Sequence, residues 1–411
     1  MNASPHILFI SYDGMTDPLG QSQVLPYLIG LTKHGFRFTI LSCEKEQNYR
    51  LHKDEINAIL KPYPIKWAAI RYHKNPPVFS SVFDVLMLKQ TAKKLHKKHH
   101  FDMVHTRPGV PALIGLWMKK KSGVKFLNDI REFYADSRVD GGIWNTKNLF
   151  YRKIYDHFKG KENEAVAQSD GIVCLTWRAR KIISEWPSYD KKVPIRVIPC
   201  SVDMELFDPA KIEATDKIRL KNQLGIHDED IVISYLGSIG SWYLTDELLQ
   251  FFKIIEEQVA SAKFLFISPH AKEKIIAEAK KFGIKEDKII VCKATREEVP
   301  ALISLSKFSV FFIKPCYSKQ SSSPTKHGEI MAMGIPVITN TGVGDVAEIV
   351  KKYSAGITLK DLDEKEFNAA ITIMKSDEHF ENDTIRQGAL EYYNLHHAVT
   401  AYKEIYSHIL D

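Results

Sequence analysis

The sequence predicts an α/β protein made of two successive parallel-sheet halves facing a central cleft. Three observations carry that expectation. Short apolar runs recur from end to end, and helical periodicities separate them. The length of 411 residues is that of two or three domains rather than one. The chemistry-bearing loops fall just after the apolar runs, where open α/β sheets place their ligands.

In the first half, Ile7–Ser11 is an apolar run. Residues 21–34 follow with Val24, Leu25, Leu28 and Leu31 at helical spacing, stopped by Gly35. Phe36–Ser42 alternates as a strand, and Val82–His100 reads as a long basic amphipathic helix. Met103–His105, Lys125–Asp129 and Gly171–Thr176 are further strands, and Ile195–Asp203 is the last strand of this half with its exit. Residues 204–229 form a polar connector with one helical piece. A second series then begins at Ile231–Leu236 and continues with strands Lys263–Ile267, Lys288–Val291, Phe308–Ile313 and Pro336–Thr339. Helices are expected over 245–260, 271–282, 296–306, 345–352 and 364–375, with a helical tail from about 378 to 410. The expected domains are 1–203, 204–380 and a C-terminal helical segment, 381–411, packing back toward the N-terminal domain.

The hydrophobic fraction of 44% is enough to fill a sizeable core. No apolar run approaches the roughly 18 residues of a membrane span, and the N-terminus carries no signal-peptide pattern. Five scattered cysteines without a CxxC pair read as reduced thiols of a cytoplasmic protein. The net charge of +7 is uneven: residues 1–205 carry 32 Lys and Arg against 20 Asp and Glu, and residues 206–411 carry 25 against 30. A basic first half suits an anionic partner, or is a merely soluble surface.

The most informative stretch is Ser321-Ser-Ser-Pro-Thr-Lys326-His-Gly-Glu329, a polar loop entering a short helix after the strand Phe308–Ile313. A loop turning into a helix N-terminus offers backbone N–H groups and a positive dipole end. Ser323, Thr325 and Lys326 suit phosphate, and Glu329, one turn on, suits the hydroxyls of a ribose. A second loop, Gly237-Ser238-Ile-Gly240-Ser-Trp242-Tyr, permits close backbone approach at Gly237, Ser238 and Gly240. Trp242 there either stacks on a ligand or packs between domains. In the first half, Tyr12-Asp-Gly14-Met-Thr-Asp-Pro-Leu-Gly20-Gln21 is either a ligand loop for an anion or polar sugar, or a plain strand-to-helix turn. His105 and Arg107 stand at a strand end, as structural groups or at the cleft edge. Asp129, Arg131 and Glu132 belong to a charge-dense segment that is either an internal ion-pair network or a site. Asp345 reads as an ordinary helix N-cap. Metal signals are weak: Asp361-Leu-Asp363 lies late in the chain, and His99-His100 and His396-His397 lack ligand spacing, so no metal is expected.

Together these segments resemble glycosyltransferase family 4, of the GT-B fold with two Rossmann-like domains. The resemblance rests on the Gly-bearing first loop, Ile198-Pro-Cys-Ser-Val-Asp203, Gly237-Ser-Ile-Gly240-Ser-Trp-Tyr, Glu329-Ile-Met-Ala-Met-Gly-Ile-Pro-Val and Gly342-Val-Gly-Asp-Val-Ala-Glu. The family's E-x7-E motif is met only at its second Glu, by Glu329. Its first falls on Ser321, and the loop resembles a Ser-Pro-x-Lys variant with Lys326 available for phosphate. The Arg and Lys common after the first C-domain strand are absent, and the catalytic His of many relatives falls near Arg131.

The resemblance implies retaining transfer of a sugar from a nucleotide diphosphate sugar to a hydroxyl of a glycan or lipid-linked acceptor, in polysaccharide or glycoconjugate synthesis. Donor contacts would come from Gly14, Gly20, Gln21, Gly237, Ser238, Gly240, Trp242, Ser323, Thr325, Lys326 and Glu329. Arg131, Asp129, Glu132 and His105 would serve the chemistry, with neither cofactor nor metal. The basic N-terminal domain would take the acceptor and touch an anionic membrane surface from the cytoplasm, with no nucleic acid involved. Two alternatives stand beside this: a GT-B nucleotide-sugar epimerase, and a catalytically silent GT-B partner subunit.

Overall fold

The structure is a computed structural model that describes residues 4–76, 79–376 and 380–411. The chain forms two compact units, Met1–Pro199 together with Leu395–Asp411, and Cys200–Asn394.

The first unit holds a seven-stranded parallel sheet. Its strands are β1 His6–Ser11, β2 Arg37–Glu44, β3 Ile65–Arg71, β4 Met103–Arg107, β5 Lys125–Ile130, β6 Gly171–Cys174 and β7 Ile195–Val197, in the order β3-β2-β1-β4-β5-β6-β7. The second unit holds six parallel strands, β8 Ile231–Leu236, β9 Ala262–Ile267, β10 Ile289–Cys292, β11 Phe308–Phe311, β12 Val337–Asn340 and β13 Gly356–Leu359, in the order β10-β9-β8-β11-β12-β13. Each order reverses once, between β1 and β4 and between β8 and β11. At such a reversal the loops leaving the two strands diverge and open a crevice at their carboxyl ends. The candidate loops follow these strands.

β2 does not alternate: all its residues but Arg37 are buried, because helices cover both faces of a parallel sheet. The helix expected over 21–34 is two, Pro18–Gln23 and Leu25–Thr32, broken at Val24 (φ −124°, ψ −63°). Pro26 lacks the N–H that would continue the first helix. The helix expected over 296–306 shrinks to Val299–Ile303, with Pro300 in its first turn. Two strands escape sequence reading. β3 is a half-exposed edge strand, and β13 is a short one opened by Gly356.

The helical tail is also two pieces. Asn382–Tyr392 belongs to the second unit and Leu395–Leu410 to the first. The terminal helix buries Ala398, Val399, Tyr402, Ile405, Tyr406 and Ile409, a stripe at helical spacing. It packs so closely that a Cβ on Gly30 would lie 2.6 Å from Val399 Cγ2, and one on Gly171 2.5 Å from Ile409 Cδ1. Among the described residues no helix is long and apolar enough to cross a membrane.

Candidate functional site

In the second unit the loops after β8 and β11 bring together Gly237, Lys326 and Glu329. Pro324 precedes the helix Thr325–Ala332, which carries both charged groups one turn apart. Every residue of that helix from Lys326 to Ala332 is buried. Lys326 Nζ is fully buried and has no hydrogen-bond partner among the described residues. It lies 3.9 Å from the ring centre of Tyr243 and 4.6 Å from that of Tyr235, so its charge rests against aromatic faces. Burial pushes its pKa down to about 7, against the pull of Glu329. A buried ammonium without a hydrogen-bonding acceptor is costly, and a bound anion would remove that cost. Gly237 makes the room. It takes φ +112°, and a Cβ there would stand 3.0 Å from Nζ.

Glu329 is held by Arg296, whose Nη1 lies 3.0 Å from Oε1. Burial raises the Glu329 carboxyl, and the Arg296 charge opposes that rise. Arg296 comes from the loop between β10 and Val299–Ile303 and stacks over the Phe207 ring at 5.4 Å. Sequence reading missed it, because Thr295-Arg-Glu-Glu looks like any solvated helix start. Ser321, where the resemblance expects a carboxylate, is buried and donates to the Ser318 carbonyl at 2.8 Å. Ser323 Oγ accepts from the Cys200 N–H at 3.2 Å, and Thr325 opens the helix. The Ser238 carbonyl accepts from the Tyr235 hydroxyl, and the Gly240 N–H donates to Thr245 Oγ1 at 2.8 Å. Trp242 carries Lys319 Nζ over its ring at 3.8 Å, a contact within the unit that covers one face.

In the first unit the charged segment is drawn into a buried network. Asp129 Oδ2 accepts from the Tyr402 hydroxyl at 2.7 Å and lies 3.3 Å from His105 Nε2. His105 Nδ1 meets the Tyr406 hydroxyl at 2.7 Å, and Arg131 Nη1 is 3.6 Å from Asp129 Oδ1. Burial favours the neutral Asp129, but Arg131 and His105 outweigh it and hold the carboxyl well below its usual range. Burial keeps His105 neutral despite Asp129. Both ring nitrogens of His105 are engaged and the residue is 2% exposed. The geometry is that of an internal network tying β4 and β5 to the terminal helix, so a catalytic role for His105 and Asp129 does not follow from it. Arg131, also buried, donates to the Ile198 carbonyl at 3.4 Å and belongs to the same brace. Glu132 lies apart, accepting from Ser137 Oγ at 2.8 Å beside Arg138.

The loop after β1 explains its glycines internally. A Cβ on Gly14 would lie 2.6 Å from Glu44 Oε2, and one on Gly20 2.2 Å from the Gly14 carbonyl oxygen. The buried Glu44 accepts from the Met15 N–H (2.6 Å) and the Thr16 hydroxyl (2.6 Å) and so pins the loop. Gln21 reaches the Thr16 carbonyl at 3.5 Å. These contacts account for Gly14, Gly20 and Gln21 without a ligand.

Asp345 stands at the N-cap of the helix Val346–Lys352 as expected, but without a side-chain capping bond to it; its carboxylate accepts from the Tyr392 hydroxyl at 3.0 Å. Asp363 is a helix cap, accepting from the Glu366 N–H at 2.9 Å. Among the described residues no three His, Cys, Asp or Glu side chains cluster as metal ligands do.

Residues 216–391 match the family model described as glycosyl transferases group 1. The alpha-monoglucosyldiacylglycerol synthase of Streptococcus pneumoniae (strain ATCC BAA-255 / R6) is 23% identical over 149 residues. That stretch is 36% of this chain and 32% of the synthase, so the chain spans about a third of the length of the curated relative it matches. Among solved structures, sucrose-phosphate synthase from Thermosynechococcus elongatus superposes with a TM-score of 0.72 at 14% identity, over 98% of each chain. Anabaena HepE in complex with UDP-glucose superposes with a TM-score of 0.69 at 13% identity, again over 98% of each. At these identities the two structures establish the fold, GT-B with two Rossmann-like units.

Proposed function

From the premise that residues 216–391 form a group 1 glycosyltransferase domain in a chain of GT-B fold, we propose that this protein transfers a sugar from a nucleoside diphosphate sugar to a hydroxyl acceptor. The observation that carries the proposal is Lys326. A buried ammonium with no hydrogen-bond partner among the described residues, on the first turn of a helix and next to a glycine that leaves room, suits a diphosphate.

The chemistry follows from that placement. As the bond between the sugar and the diphosphate breaks, negative charge gathers on the departing phosphate oxygens. Lys326 meets that charge in surroundings of low dielectric, where a fixed cation acts most strongly. It supplies the charge a divalent ion would otherwise bring, so metal independence is part of the proposal. Glu329, aimed by Arg296, accepts from the ribose hydroxyls and fixes the nucleotide. Ser323 and Thr325 flank the phosphates. HepE, solved with UDP-glucose, makes a uridine diphosphate sugar the first donor to try.

The finer reading is a family 4, retaining enzyme in polysaccharide or glycoconjugate synthesis, with a Ser-Pro-x-Lys form of the nucleotide motif. Its first unit takes a glycan or lipid-linked acceptor at the cytoplasmic face of a membrane. The basic character of residues 1–205 and the glycolipid synthase among the relatives support that direction.

Calorimetric titration with uridine, guanosine, adenosine and cytidine diphosphates tests the donor reading. Saturable binding of one of them, lost in Lys326→Ala, is expected. Binding of none, or binding that ignores the substitution, would remove the assignment. Anomeric configuration of the product by NMR then decides between retention and inversion.

A further inference from the structure

The first unit contains a cavity of about 790 Å³ that the donor chemistry does not use. That volume lies within the roughly 300–1,000 Å³ of small-molecule sites. Its walls are the start of the helix Phe79–His99, the helix Val110–Ser122, the segment after β5 and the helix Leu149–Gln168. Val85, Leu113, Ile154 and Phe158 give it an apolar interior.

Its mouth is unusual for a free surface. Among the described residues thirteen large hydrophobics stand exposed, and four of them line this one cavity: Val82 (55%), Leu86 (51%), Ile143 (58%) and Phe150 (57%). Scattered singly they would need no explanation, but gathered around one opening they mark an interaction site. The ionisable lining has one sign. Lys74, Arg138, Lys153 and His157 face the cavity, and among the described residues no carboxylate lines it. Arg138 stands in the last turn of the helix Tyr134–Asp140 that follows β5, its guanidinium 4.4 Å over the Tyr134 ring. Tyr72, at the end of β3, packs edge-on against Tyr12 at the end of β1. One wall of the cavity is therefore built on the carboxyl ends of the sheet, the edge at which this fold places ligands.

An apolar interior with a cationic rim matches a molecule that is a hydrocarbon chain at one end and an anion at the other. We propose that this cavity draws the chain of a lipid phosphate out of the bilayer, with Arg138 and Lys153 on the phosphate. As the identity of the acceptor this rests on the glycosyltransferase reading; as a binding site it does not. The acceptor class is then a sugar or hydroxyl carried on a lipid phosphate, held by its chain rather than by its glycan.

The test is calorimetry on the full chain with dodecyl phosphate below its micelle concentration. Decyl phosphate and inorganic phosphate serve as partial probes, and UDP as the readout of the second unit. Saturable one-to-one binding of dodecyl phosphate is expected, with none of inorganic phosphate. Decyl phosphate, two methylenes shorter, should bind roughly tenfold more weakly. Leu86→Trp, which narrows the mouth, and Arg138→Gln should each weaken dodecyl phosphate tenfold or more and leave UDP binding unchanged. Leu51→Trp, at a site 69% exposed on another helix, should behave as the parent. Should Leu86→Trp lower the melting temperature, Val82→Trp on the same rim replaces it.

Equal affinity for the two chain lengths, or parental binding by the rim variants, overturns the proposal. So does binding confined to anionic vesicles, with no saturable uptake of the monomer, since that would make the patch a membrane contact only. Loss of UDP binding in the parent with dodecyl phosphate still bound removes the glycosyltransferase reading and leaves the cavity assignment standing.

Discussion

A Cβ on Gly237 would stand 3.0 Å from the Nζ of Lys326. The two residues are far apart in sequence, yet the glycine is what leaves the ammonium its space. Gly237→Ala should therefore act twice. The φ of +112° strains any L-residue by about 1–3 kcal/mol. The methyl group also crowds the proposed phosphate position. A melting temperature lowered by several degrees and UDP affinity weakened tenfold or more are expected. Calorimetry and a thermal melt read the two effects separately.

Lys326→Met should make the protein more stable and unable to bind nucleotide. The methionine fills similar volume and removes a buried charge whose pKa burial has lowered to about 7. Removing an unsatisfied buried polar group relieves a desolvation cost of about 1–3 kcal/mol. A melting temperature that falls would contradict the burial argument.

The same lysine makes nucleotide binding depend on pH. Its folded pKa lies below its unfolded value, so the unfolded chain binds more protons between about 7 and 10.5. The lysine's destabilising contribution is complete below pH 7 and relieved as pH rises through that window. Anion binding has the opposite preference, for the protonated form. UDP affinity should fall about tenfold per pH unit above 7, with proton uptake measurable by titration in buffers of different ionisation enthalpy. Lys326→Met should abolish the slope.

Glu329→Gln should lose discrimination rather than all affinity. If the carboxylate accepts the ribose hydroxyls, the parent should prefer UDP over its 2′,3′-dideoxy analogue and the variant should bind both alike. Arg296→Ala should shift in the same direction, because the 3.0 Å contact to Glu329 is what aims the carboxylate. Competition binding with the two nucleotides checks both.

Tyr402→Phe should cost stability and spare the nucleotide site. It removes the 2.7 Å hydrogen bond to Asp129 and leaves a buried carboxylate less satisfied, a loss of about 1–3 kcal/mol. UDP binding by the second unit should remain parental. A proportionate loss of UDP affinity would mean that the network does more than brace the first unit.

Apart from β3 and β13, the strands of both sheets were legible because buried parallel strands are continuous apolar runs with polar loops after them. The position of Lys326 and Glu329 on a short helix after β11 was legible because a loop turning into a helix advertises itself. Arg296 was not, since its partner lies on the helix Thr325–Ala332 and no spacing in the chain links the two. The charge-dense segment at Asp129 shows a different obstacle. Its acids and bases could equally form a site or an ion-pair network, and the deciding residues, Tyr402 and Tyr406, lie almost at the other end of the chain. Gly14 and Gly20 were conspicuous for a real reason, close packing, but the packed neighbour is Glu44 and the loop's own backbone.

The division of the chain has a consequence for how the first unit closes. Its sheet is written in residues 6–197, yet the helix packed against Phe38, His105 and Gly171 lies at Leu395–Leu410, after every residue of the second unit. The first unit is thus a discontinuous body, joined by contacts between residues 273 apart at Asp129 and Tyr402 and 301 apart at His105 and Tyr406. Contacts of such separation carry a loop-closure entropy that must be met before they stabilise anything, which makes them the slow kind in folding. The second unit, continuous in sequence, has no such join to make.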